Sequence, residues 1–81
     1  MIPNYQELML PLLKIASDGN IHYIKDSVDT LSDAFNLSEK ERQETISSGV
    51  QTIIYNRVGW ARTYLKKAGL LTDPKKGYFQ I

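Results

Sequence analysis

NRVGWARTYLKKAGLLTDPKKGYFQI, residues 56–81, decides how the chain is read. Val58, Ala61, Leu65 and Ala68 recur at helical spacing, and Ile54 extends the same face one turn upstream. The opposite face holds Thr52, Asn56, Gly59, Thr63 and Lys66, with Trp60 and Lys67 at its edge. Arg57 and Arg62 flank the apolar stripe. Gly69 stands where a helix-terminating residue needs the left-handed region, and Lys66 and Lys67 suit the negative end of the helix dipole. Beyond it, Leu70-Leu71-Thr72 and Tyr78-Phe79-Gln80-Ile81 are predicted strands. The turn Asp73-Pro74-Lys75-Lys76-Gly77 joins them, with Pro74 at its second position and Gly77 at its exit. A basic helix followed by a short hairpin is the pattern of a helix and its wing.

Working outward, Asn4 and Glu7 make a capping box for a first helix with Tyr5, Leu8, Met9, Leu12, Leu13, Ile15 and Ala16 on its apolar face. Pro11 interrupts that pattern, so the helix either kinks there or starts its regular part there. Ser17-Asp18-Gly19-Asn20 is a turn. Ile21-His22-Tyr23 leans to β and could pair with the wing as a small edge strand. Ile24, Val28, Leu31 and Phe35 mark a second helix that Asn36 ends, with Leu37 as the apolar follower. Ser38 and Glu41 open a short acidic helix over 39–45. Ile46-Ser47-Ser48-Gly49-Val50 connects it to the basic helix. The predicted class is mainly α with a small β-hairpin, a winged helix–turn–helix, as one domain over 1–81. A purely helical fold with a frayed tail is disfavoured, because Tyr78, Phe79 and Ile81 are poor residues to leave in solvent.

Composition narrows the function. The chain has 81 residues, and 42% hydrophobic content supports a folded globule. No cysteine rules out disulfides and thiolate metal sites and suits a cytoplasmic setting. A single histidine argues against a histidine metal site or catalytic dyad. No apolar run is long enough to span a membrane, and the N-terminus lacks signal-peptide features. The net charge of +1 hides a polarity. Residues 1–48 hold four Lys/Arg against eight Asp/Glu, and residues 49–81 hold six against one. A polyanion on the basic side explains that asymmetry as well as chance segregation does.

The same residues carry a family resemblance. The run Asn56 to Leu70, NRVGWARTYLKKAGL, resembles the N-terminal domain of Mrr-type restriction endonucleases. The opening PNYQELMLPLL (Pro3 to Leu13), Asp18-Gly19, Ser48-Gly49 and Lys76-Gly77 through Ile81 resemble it too, so the similarity spans essentially the whole chain. The resemblance implies a winged-helix DNA-binding module. In the full-length type IV enzyme it implies a following PD-(D/E)xK nuclease that cuts methylated DNA, of which this chain is the excised N-terminal part.

A winged helix lays its last long helix in the major groove, with its N-terminal residues nearest the base edges. Gln51, Thr52, Tyr55 and Asn56 are then the base-contact candidates, with Thr63 further along. Asn and Gln can pair with adenine, but Gln51 and Asn56 could equally serve as helix caps. Arg57, Arg62, Lys66 and Lys67 on the helix and Lys75 and Lys76 on the wing are phosphate candidates. One of the arginines could instead pair with the acidic half. Gly59 costs about 1 kcal/mol inside a helix relative to Ala, which implies a close backbone approach, to a neighbouring helix in preference to a DNA phosphate. Trp60 and Tyr64 are expected under the wing rather than stacked on bases.

His22 reads as structural, and Ser47 and Ser48 as turn residues. Asp26, Asp29 and Asp33 have the spacing of a helix surface and give only a weak metal signal. No catalytic constellation, metal site, cofactor or small-molecule substrate is expected. The expected partner is double-stranded DNA. A protein-interaction or homodimerisation winged helix is the alternative.

Overall fold

The computed structural model describes residues 1–81. Its elements are α1 (Tyr5–Ala16), β1 (His22–Tyr23), α2 (Ile24–Ala34), α3 (Glu39–Gln43), α4 (Ile53–Lys67) and β2 (Tyr78–Phe79). Helices α1, α2 and α4 enclose the core, and the C-terminal segment closes one flank in a winged-helix-like α/β arrangement.

Local chemistry sets the helix ends. Asn4 and Glu7 exchange the two capping-box bonds at the start of α1, and Ser38 and Glu41 do the same for α3. Helix α1 runs through Pro11 without ending, so it does not begin there. At the end of α2, Asn36 takes φ 54°. The Asn36 N–H donates to the Asp33 carbonyl and the Leu37 N–H to that of Ser32, which buries Leu37. Gly69 and Leu70 repeat that arrangement after α4, at Lys66 and Leu65. Helix α3 stops at Gln43, short of the expected residue 45, because Glu44 turns extended and accepts the Ile53 N–H.

The core joins Leu8, Leu12 and Ala16 of α1 with Ile24, Val28 and Leu31 of α2 and Ile54, Val58, Ala61 and Leu65 of α4. Leu71 and Phe79 seal it from the wing side. This is the stripe expected for α4, less Ala68, which is the exposed C-cap.

The wing differs from the expected hairpin. The two named strands are β1 and β2, antiparallel, with His22 opposite Phe79 and Tyr23 opposite Tyr78. The predicted strand 70–72 is reduced to one bridge, Thr72 with Gln80, whose backbones exchange both hydrogen bonds. Leu70 is already committed to closing α4 and Leu71 turns into the core, so only Thr72 is left to pair. Of the apolar tail residues expected inside, Phe79 is buried and Tyr78 half-buried, but Ile81 is exposed.

A second small hairpin precedes α4. Thr45 bridges Thr52, the Ile46 N–H donates to the Gln51 carbonyl, and Gly49 at φ 75° completes the turn. The expected plain connection over Ile46-Ser47-Ser48-Gly49-Val50 is therefore a hairpin turn.

Candidate functional site

Several of the residues singled out from the sequence converge on the outward face of α4. Asn56, Gly59, Thr63 and Lys67 follow one another at helical spacing, opposite the buried Ile54, Val58, Ala61 and Leu65. Gln51, Tyr55, Asn56, Gly59, Trp60, Arg62 and Thr63 line a depression of about 310 Å³ on this face. An adjoining one is lined by Lys25, Val50, Gln51, Thr52 and Tyr55. Six of the eleven residues singled out from sequence, Gln51, Thr52, Tyr55, Asn56, Arg62 and Thr63, thus come together.

Their side chains are already committed in particular ways. The α4 cap is Thr52, whose hydroxyl accepts the Tyr55 N–H at 3.2 Å. Neither Gln51 nor Asn56 caps the helix. Instead Asn56 Nδ2 donates to Gln51 Oε1 at 2.7 Å, joining the two amides. The Thr63 hydroxyl donates to the Gly59 carbonyl.

The cations divide. Arg57 lies in a separate depression with Met1, Ile2, Glu41, Glu44 and Ile53 and donates to the Ile2 and Pro3 carbonyls. Those carbonyls precede the first turn of α1 and have no strand partner, so a guanidinium satisfies them. Arg62 and Lys66 each hold one oxygen of Asp73 at 2.8 Å, which ties the wing to α4. Partial burial alone would raise the Asp73 carboxyl, but the Lys66 hydrogen bond and the Arg62 charge outweigh it and hold the group below its ordinary range. Lys67 lies 5.8 Å over the Tyr64 ring and Lys75 4.3 Å over that of Tyr78. Lys76 makes no ion pair.

Three of the eight carboxylates of the acidic half have ion-pair partners within it. Asp33 pairs with Arg42, Asp18 with His22, and Glu41 with the Met1 amino group. That amino group and the Ser38 N–H hold the Glu41 carboxyl down at about 2, and the His22 hydrogen bond lowers Asp18. No carboxylate of residues 1–48 pairs with a cation of residues 49–81. His22 also stacks on Phe79, in line with a structural role.

Two expectations are corrected here. Trp60 and Tyr64 are not under the wing: they are 50% and 41% exposed. Tyr64 stacks on Tyr5 of α1 at 4.8 Å, on the side of α4 away from the Asp73 anchor, and Trp60 leans on Tyr64. Gly59 packs against no helix, since a Cβ built there meets nothing within 4 Å. Sequence reasoning also missed Lys25 and Val50. The β-branched Thr45, Ile46, Val50 and Thr52 around Ser47-Ser48-Gly49 are a hairpin signal that would have brought Val50 beside Gln51.

Fold and face together define a small winged-helix-like α/β domain. The chain belongs to the Mrr N-terminal domain family, whose model matches residues 5–81. Over 77 residues it is 32% identical to the type IV methyl-directed restriction enzyme EcoKMrr of Escherichia coli (strain K12). The aligned part is 94% of this chain and 25% of that relative, so the chain spans about a quarter of the relative's length. No solved structure matches the chain. No helix is long and apolar enough to cross a membrane.

Proposed function

We propose that this domain binds double-stranded DNA with the outward face of α4 and directs a PD-(D/E)xK nuclease, carried elsewhere in the full-length protein, to methylated sites. The observation that carries the reading is the lining of that face: paired amides, hydroxyls and an arginine, with no carboxylate. Gln51, Asn56 and Thr63 serve as base-edge contacts, and Thr52 and Tyr55 frame the entry of α4. Lys66, Lys67, Lys75 and Lys76 are the phosphate contacts, with Arg62 at the rim; Arg57 is assigned to holding the N-terminal segment in place. The Arg62–Lys66–Asp73 group keeps a net positive charge, so it still favours a phosphate. The family and the type IV relative support the same direction.

The test is a duplex titration across salt concentrations. Each phosphate neutralised contributes about 0.9 to the slope of log affinity against log salt. Binding is expected at low salt with a slope of several phosphates. Changing Lys66, Lys67, Lys75 and Lys76 together to Glu should abolish it, and a domain that never binds duplex at low salt would refute the proposal.

The exposed Trp60, Tyr64 and Leu70 favour a second reading, a surface for a protein partner or a second copy. That surface would survive the four-lysine reversal, whereas DNA binding would not.

A further inference from the structure

Gly59 lies at the middle of α4's outward face, between Asn56 and Thr63, in a helix of 15 residues. Glycine weakens a helix interior relative to alanine, so its use there needs a reason. Packing does not supply one, because an added Cβ would meet nothing within 4 Å. Backbone conformation does not either: Gly59 is absent from the positive-φ residues, unlike the other four glycines. What the missing side chain leaves is open space over the Gly59 Cα, beside a carbonyl that the Thr63 hydroxyl holds, in a depression that Tyr55, Trp60 and Thr63 also line.

The polar equipment of that depression says what would come so close. The Gln51–Asn56 couple uses one amide nitrogen–oxygen contact internally. Whichever way round the two amides lie, the couple keeps one amide nitrogen and one amide oxygen free for a partner. A base-pair edge in the major groove also presents a donor beside an acceptor. Arg62 at the rim and a lining without carboxylate suit a polyanion, and the free donor and acceptor of the couple match a base edge better than an acidic peptide, whose carboxylates only accept.

We infer that Gly59 is the position of closest approach in the DNA complex, where base-pair edges reach the α4 backbone beside the Gln51–Asn56 couple. This rests on the DNA-binding reading above and adds a residue that reading does not require. Any side chain at 59 holds the helix away from the bases while leaving the domain folded.

The experiment compares the wild-type chain with Gly59→Ala and Gly59→Leu, measuring the melting temperature and the affinity for labelled mixed-sequence duplexes, unmethylated and methylated at cytosine or adenine. Both substitutions are good helix formers, so the melting temperature is expected to hold or rise. Affinity is expected to fall roughly tenfold for Ala and further for Leu, with the salt slope unchanged because no charge is lost. Folded variants that bind as tightly as the wild type would overturn the Gly59 assignment while leaving DNA binding intact. A slope reduced by about one would place a phosphate at Gly59 and overturn the base-edge assignment. A wild-type chain that binds none of these duplexes would remove both.

Discussion

Asp73 on the wing accepts a hydrogen bond from Arg62 on α4 at 2.8 Å, and that contact spans the gap between the helix and the C-terminal segment. Lys66 completes the grip on the second carboxylate oxygen. Replacing Asp73 by Asn keeps the shape but removes the charge that both cations answer. The expected cost is about 1 kcal/mol, small because Lys66 is largely exposed. Denaturant unfolding at neutral pH would read it as a lower midpoint with an unchanged slope.

The same carboxylate sets part of the acid limit. Its folded-state value is depressed, so the stability it contributes is complete above the ordinary carboxylate range. It is lost as pH falls through the lowered value. Glu41, held at about 2, behaves in the same sense and loses its contribution between its ordinary value and about 2. Melting temperatures measured from pH 6 down to pH 2 should therefore fall less steeply for Asp73→Asn than for the wild type, and less steeply again when Glu41→Gln is added.

Tyr5 and Tyr64 stack with ring planes 19° apart, joining α1 to α4 outside the core. A double-mutant cycle with Tyr5→Ala and Tyr64→Ala should give a coupling of about 0.5–1.5 kcal/mol. Strictly additive losses would mean that the two rings contribute only as separate apolar surfaces.

The helices were legible in the sequence because their signals are local. The Asn4/Glu7 and Ser38/Glu41 capping boxes, the Asn36 terminus and the α4 stripe each depend on residues a turn or two apart. The pairing of His22-Tyr23 with the wing was legible too, since a short β-leaning run needs a partner. The side of α4 on which the aromatics fall was not. Trp60 and Tyr64 lie four residues apart whichever neighbour covers them, and only the path of α1 brings Tyr5 to Tyr64. The fates of Arg57 and Arg62 depend likewise on distant partners, the Ile2 and Pro3 carbonyls and Asp73. The helix cost of Gly59 is legible in the sequence, but its open surroundings are a fact of three dimensions.

Thr52 combines two jobs at one position. Its hydroxyl caps α4, and its side chain lines the depression with Lys25 and Val50. Thr52→Ala should cost about 1 kcal/mol through the lost cap, and Thr52→Ser should restore most of it. If chemical denaturation shows Ala and Ser equivalent, the cap bond contributes nothing and the start of α4 is held by the Thr45–Thr52 hairpin alone.

Phe79 decides whether the wing is part of the fold or an appendage. It is fully buried, pairs with His22 through the backbone and stacks on its ring. Phe79→Ala should cost about 3–5 kcal/mol, a large share of the roughly 5–15 kcal/mol that holds a domain folded. Lys75 and Lys76, four and three residues upstream on the turn, are exposed. Lys76→Ala should change stability by less than about 0.5 kcal/mol, and Lys75→Ala, which also loses the contact with the Tyr78 ring, by no more than about 1 kcal/mol. Thermal melts of the three variants therefore separate the wing's anchor from its tip. A Phe79→Ala domain that melts with the wild type would show that α1, α2 and α4 close the core without it.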